Sequence, residues 1–182
     1  MYRHCTTEDS SQRQRQLEQC FLALLQQIPY GEISISQICD GANLSRKSFY
    51  RYFNNKEGCL CALLDHTIML GASSYLPLNT EKRISGVFFE CFFEFWAQQA
   101  LLLDALQRDG LEVKLVERMM TYVIEEENQF RNYLGIYKED SFEYMSYIIS
   151  GIMGLVINWH HNGFTKTPRQ MALILERLIT KI

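Results

Sequence analysis

The sequence predicts an all-α protein, and three observations carry that prediction. Apolar residues recur with a 3.6-residue rhythm in almost every segment, no segment alternates strictly for long, and the breaks fall at Pro, Gly and Asn, which start or stop helices. The chain has 182 residues, 47% hydrophobic and 21% charged, which is ordinary globular composition and long enough for a real core. About nine helices are expected, as a three-helix head at residues 1–55 and a helical body at 56–182.

Leu17, Phe21, Leu24, Leu25 and Ile28 form one stripe on a first helix that stops near Pro29-Tyr30-Gly31. Ser34 and Gln37 frame a capping box at the start of a short second helix. That helix ends near Asn43, a residue suited to the positive φ of a tight turn. Ser45 sits at the next N-cap, and a third short helix carries Arg46 to Phe53, with Phe49 and Phe53 turned inward beside Ile38. Asn55 caps a fourth helix from Lys56 to about Ser74, and Ser73 to Arg83 reads as a loop. Longer helices follow at about Arg83–Gln99, Leu101–Gln107, Leu111–Tyr133 and Ser141–His161. Pro168 opens the last, Arg169 to Ile182.

Eighteen Lys and Arg against 21 Asp and Glu give a net charge of −3, which by itself argues against a nucleic-acid binder. The distribution argues the other way. Residues 1–60 hold seven basic and six acidic residues, and residues 61–182 hold eleven and fifteen. Arg46, Lys47, Arg51 and Lys56 fall within eleven residues that contain no acid.

Two short helices joined by a tight turn, the second rich in Arg, Lys, Ser and Tyr, form a helix-turn-helix arrangement. Arg46 and Lys47 can reach guanine edges or phosphates, and Ser48 is short enough to bring the backbone close. Tyr50 and Tyr52 can donate to phosphates, and Lys56 stands at a helix N-terminus, where the exposed amides favour one. Ser34, Ser45 and Arg51 complete the candidate DNA-facing set.

The stretch from Ile33 to Glu57 resembles the DNA-binding signature of the TetR/AcrR family of bacterial transcriptional regulators. Its most specific part is Ser48-Phe49-Tyr50-Arg51-Tyr52-Phe53 followed by Lys56-Glu57, and the match covers about 50 residues. Three positions depart from the family pattern: Cys39 replaces a small Ala, Asn43 a turn Gly, and Gly58 a helix former. The resemblance implies a cytoplasmic homodimeric repressor of a pseudo-palindromic double-stranded operator. It also implies a body that binds a small-molecule effector and thereby moves the heads apart. The alternative is a DNA-bound regulator controlled by a protein partner without a small ligand. A helical enzyme or binding domain with a vestigial head is a further alternative.

In the body, Val87 to Trp96 holds five Phe and one Trp in ten residues. A helix apolar nearly all round is enclosed by protein, so it is a candidate pocket wall. Phe92 and Trp96 are the candidate liners, with Tyr122 and Tyr147, and also Tyr133 and Tyr144, as polar contacts. Glu90 and Glu94 lie one turn apart and read as an exposed acidic face. Gly151 and Gly154 lie mid-helix, where each costs about 1 kcal/mol, which points to a close helical partner. Ile148, Gly151, Ile152, Leu155 and Trp159, with Ile174 and Leu178 on the last helix, form the candidate dimer interface. The resemblance implies that these last two long helices build a four-helix interface with their twofold mates.

Other chemistry finds no foothold in the sequence. There is no G-x-x-x-x-G-K, G-x-G-x-x-G or G-x-S-x-G motif, so no enzyme is expected. The six cysteines, at 5, 20, 39, 59, 61 and 91, read as reduced thiols without metal-ligand spacing. His66 is isolated, and the neighbours His160 and His161 point about 100° apart and read as unable to hold one ion together. No metal or cofactor is expected. The longest apolar run, Tyr147 to Trp159, has 13 residues, short of the ~20 that span a bilayer. The polar N-terminal run to Gln16 lacks a secretory apolar segment, so a cytoplasmic protein without membrane contact is expected.

Overall fold

The computed structural model describes residues 2, 3, 5, 7–75, 86–125 and 141–179. Nine α-helices lie among them: α1 Glu8–Leu25, α2 Ile35–Gly41, α3 Arg46–Tyr52, α4 Lys56–Tyr75, α5 Gly86–Gln98, α6 Ala100–Arg108, α7 Glu112–Glu125, α8 Ser141–His161 and α9 Pro168–Ile179. The expected run of the seventh helix to Tyr133, that tyrosine itself, the loop from 76 to Arg83 and the last three residues lie outside the described set. No described helix is long and apolar enough to cross a membrane.

The head closes around Phe21, Leu25, Ile38, Phe49 and Phe53, all wholly buried. Its local geometry is set by caps. Ser34 and Gln37 satisfy each other's amides in a capping box, with Gln37 N–H donating to Ser34 Oγ at 3.2 Å and Ser34 N–H donating to Gln37 Oε1 at 2.8 Å. Asn43 adopts φ 50°, and the turn closes by Leu44 N–H to Cys39 O at 2.9 Å and Asn43 N–H to Asp40 O at 3.1 Å. That pair of bonds is a Schellman motif, which ends α2 and sets the angle at which α3 departs. Asn55 Oδ1 then accepts from Gly58 N–H at 2.8 Å and starts α4. The same capping chemistry opens the last helix, where Thr167 N–H donates to Gln170 Oε1 at 2.8 Å just before Pro168.

α4 passes from head to body, and its buried residues belong to one continuous apolar cluster shared by both. α9 packs on α5, α7 packs on α8 and α4, and α6 reaches back to α1. Where α4 crosses α5 the approach is close. A Cβ placed on Gly71 would stand 2.7 Å from Phe95 Cε1. Gly71→Val should therefore cost about 1–3 kcal/mol, several degrees of Tm in a chain of this size. A Cβ on Gly31 meets nothing within 4 Å, so Gly31→Ala should leave the melting curve nearly unmoved.

Candidate nucleic-acid interface and effector cavity

Helix α3 has two faces. Phe49, Tyr52 and Phe53 stand at i, i+3 and i+4 and turn inward, while Arg46, Lys47, Tyr50 and Arg51 stand exposed. The Tyr50 ring rests edge-on against Phe49 at 5.6 Å, which leaves its hydroxyl end outward on a supported base. Ser34 and Ser45 are engaged as N-caps, Ser48 N–H donating to Ser45 Oγ at 3.1 Å, and the Ser48 hydroxyl stands 3.1 Å from Ser45 Oγ.

Two residues of the expected DNA-facing set are used otherwise. Tyr52 is buried, 4% exposed, because its position repeats the inward stripe of Phe49. Its backbone is also tied to the start of the chain, Arg3 N–H donating to Tyr52 O at 2.9 Å. Lys56 turns back under the head, its ammonium donating to the carbonyls of Tyr30 and Ile33, the latter at 2.7 Å. It also sits 4.3 Å from the centre of the Tyr30 ring. The Tyr30 carbonyl also accepts Ile33 N–H at 3.3 Å, so Lys56 adds to a turn that is already closed and is a structural brace rather than a free cation. Desolvation pulls its pKa down.

Head and body are joined by polar contacts that the sequence pattern did not reveal. Asp65 of α4 receives Arg118 of α7 in a bidentate pair and the Tyr2 hydroxyl at 2.7 Å. At the α6–α7 corner, Arg108 Nη2 donates to Leu25 O at 2.8 Å and Ile28 O at 2.9 Å, closing the open end of α1. Asp109 accepts from Tyr30 N–H at 2.9 Å. These partners lie 53 to 83 positions apart, beyond the reach of any local pattern.

Inside the body, α5 does form the wall of a cavity, together with the end of α4, α7 and α8. The cavity is about 50 Å³. Phe92 and Tyr122 line it, with Phe88, Met119 and Ile149. Two expected liners do not. Trp96 is wholly buried behind Phe92 and Phe95, and Tyr147 points outward, 62% exposed. Glu94 is exposed and Glu90 half-buried.

The expected dimer face is also partly redrawn. Trp159 turns inward, against Phe93 at 5.5 Å and Phe164 at 4.6 Å, while Ile148 borders both the cavity and the outer groove. Tyr147, Ile148, Gly151, Ile152, Leu155 and Leu178 line an open groove of about 330 Å³ between α8 and α9, and Ile174 of α9 is half-buried outside it. Among the described residues a Cβ on Gly151 or Gly154 meets nothing within 4 Å. The two histidines also stand closer together than their divergent Cα–Cβ bonds suggested. One ligand atom each from His160, His161 and Glu112 lie within 4.8 Å of one another. The side-chain torsions of the two rings make up the angle that separates their Cα–Cβ bonds.

An architecture of a short helical head with a polar, cationic third helix, set on a larger helical body, is that of a helix-turn-helix regulator. A sequence profile described as bacterial regulatory proteins of the tetR family matches residues 22–63, and one described as a transcriptional regulator C-terminal region matches residues 88–181. This chain belongs to the TetR family of transcriptional regulators. The HTH-type transcriptional regulator EthR of Mycobacterium tuberculosis is 34% identical over 79 residues, 38% of this chain. That match spans 37% of EthR's own length. By fold the chain is similar to the fatty acid degradation regulator FadR of Bacillus halodurans, with TM-score 0.62 at 16% identity over 92% of this chain and 94% of that one. It is equally similar to AlkX of Dietzia, a TetR family repressor implicated in n-alkane biodegradation, with TM-score 0.62 at 15% identity over the same shares.

The Asp109 corner yields a pH test. The Arg108 guanidinium, helped by the Tyr30 amide, holds the Asp109 carboxyl below its ordinary range, and burial opposes this more weakly. A depressed carboxylate stabilises the fold above its unfolded pKa and loses that effect as pH falls through its folded pKa. Asp109→Asn should therefore lower Tm from neutrality down to about pH 4. Below that the two melting curves should converge.

Proposed function

We propose that the chain is a homodimeric operator-binding regulator, a repressor released when an apolar small molecule occupies the body cavity. The α3 surface carries the DNA reading. Arg46, Lys47, Tyr50 and Arg51 share one exposed face of a helix held by caps on both sides of its turn. Such a helix fits the major groove, where Arg and Lys read guanine and Tyr donates to phosphate. The open groove between α8 and α9, with Gly151 in its lining, supports pairing with a second copy through those helices. A twofold pair would present two α3 helices to half-sites one helical turn, about 34 Å, or a multiple apart.

The cavity supports the effector reading because its walls include the end of α4 and the middle of α7. Those helices carry the Asp65–Arg118 pair, so an occupant that parts them acts on the seat of the head. An effector binding the parted state more tightly shifts the population away from the DNA-competent one. A second reading, control by a protein partner, is favoured by the cavity's size, since about 50 Å³ is well below the ~300–1,000 Å³ of ordinary ligand sites.

Arg46→Ala should cost about 1–3 kcal/mol of operator affinity and relax preference at one base, read by randomised-site selection. Arg51→Ala should weaken all DNA alike and lower the salt slope by about 0.9. Lys56→Ala should leave that slope unchanged and lower Tm instead, because its ammonium is spent on carbonyls. Equal salt slopes for Arg51→Ala and the unaltered protein would remove α3 from the phosphate contact.

Aliphatic and aromatic compounds of graded length separate the two modes of control. Binding should raise Tm and release operator DNA, and Ile149→Phe, which fills the cavity, should abolish both effects while DNA is still bound. A flat melting response across the series, with DNA binding intact, would favour the partner protein.

A further inference from the structure

We propose that His160, His161 and Glu112 bind one divalent first-row transition cation, of which Zn²⁺ is the reference case, with Asp104 orienting His160 from outside the ligand shell. The residues come from three helices. His160 and His161 end α8, Glu112 begins α7, and Asp104 lies on α6. One ligand atom from each of His160, His161 and Glu112 already lies within 4.8 Å of the other two.

The independent mark of a ligand is His160. Its side chain is 5% exposed. Its Nε2 stands 2.8 Å from Asp104 Oδ1. A carboxylate only accepts, so in the neutral ring Nε2 carries the proton and Nδ1 keeps its lone pair. That Nδ1 is buried and has no hydrogen-bond partner. An unanswered buried acceptor is costly, and a metal ion would answer it. Carboxylate, imidazole and metal in series is the usual outer-shell arrangement around a histidine ligand.

The ring is also held in place from its other side. Phe164 packs against it at 5.3 Å. Phe164 has φ 53°, a left-handed conformation uncommon for a bulky residue, directly after Gly163 at φ 65°. Such strain persists where the surroundings fix the backbone firmly.

His161 Nε2 and Glu112 Oε1 are 2.6 Å apart, bonded to each other. Tetrahedral ligands at about 2.0–2.1 Å from a zinc ion lie about 3.3 Å apart, so this pair must open by less than 1 Å. Both side chains reach solvent, at 35% and 22% exposure, and can make that adjustment. The proton shared in that bond leaves to solvent or to His161 Nδ1 when the cation enters. Two imidazoles and one carboxylate suit Zn²⁺, Co²⁺ or Ni²⁺ rather than Ca²⁺ or Mg²⁺, which prefer all-oxygen shells. Water completes the coordination.

The test uses the tag-free full chain, kept reduced and stripped with chelator. Co²⁺ should bind one per chain with a visible d–d spectrum, without a thiolate charge-transfer band, and Zn²⁺ should displace it. Zn²⁺ should raise Tm. His161→Ala and Glu112→Gln should each weaken Zn²⁺ at least tenfold in calorimetry against a competing chelator, with circular dichroism unchanged. Asp104→Asn should weaken it by about 10–100-fold, as an outer-shell partner does. No d–d spectrum, a thiolate band, or the same Zn²⁺ affinity in folded His161→Ala would each overturn the assignment.

Discussion

The enclosure of α4 is the constraint on which the rest of the molecule depends. Eleven of its twenty residues are buried, from Gly58 to Tyr75, so protein must cover it on most sides. α1 covers the head end, α5 and α7 the body end. Asp65 is the one charged residue among the eleven, and a carboxylate there has to be answered. Arg118 and Tyr2 answer it, one from the body and one from the chain's beginning. Removing Arg118 would leave the Asp65 carboxylate without its counter-charge, so the pair fixes registration as well as contact. The head is thereby seated on the body by a helix that neither part can complete alone.

The same economy shapes the DNA-facing side. Four cations cluster in the sequence between 46 and 56, but their tasks divide. Three remain at the surface of α3, and Lys56 is drawn beneath it to satisfy carbonyls after α1. An ammonium with three donors suits that cluster of oxygens in a way that a planar guanidinium would not. Some of the basic charge that sequence composition assigned to nucleic acid is internal framework.

What could be read in the sequence was whatever is settled within a few residues. The capping box at Ser34 and Gln37, the positive φ at Asn43 and the cap at Asn55 are local, and each stands in the structure as its residues predicted. The inward position of Tyr52 was equally local, since it repeats the spacing of Phe49, but an aromatic hydroxyl beside arginines masked that signal. The long-range contacts, Asp65 with Tyr2 and Arg118 and Arg108 with the end of α1, depend on tertiary approach and leave no periodic trace. The histidine pair shows the limit of angular reasoning. Adjacent Cβ atoms diverge, but imidazole nitrogens reach far enough past them to converge again. The aromatic helix was legible as a cavity wall, while the division of its rings between wall and core was set by rotation about its axis.

The apolar cavity has a consequence for selectivity. Its described lining is hydrocarbon and thioether apart from the tyrosines Tyr75 and Tyr122, so it offers few fixed donors or acceptors against which an occupant can be matched. Discrimination then rests on how much hydrocarbon is covered, at about 0.8 kcal/mol, or roughly fourfold, per methylene. Compounds would be ranked by girth and chain length, with functional groups tolerated wherever they can point away. A promoter governed through such a lining would report a chemical class, with a graded response along a homologous series, rather than the presence of one metabolite.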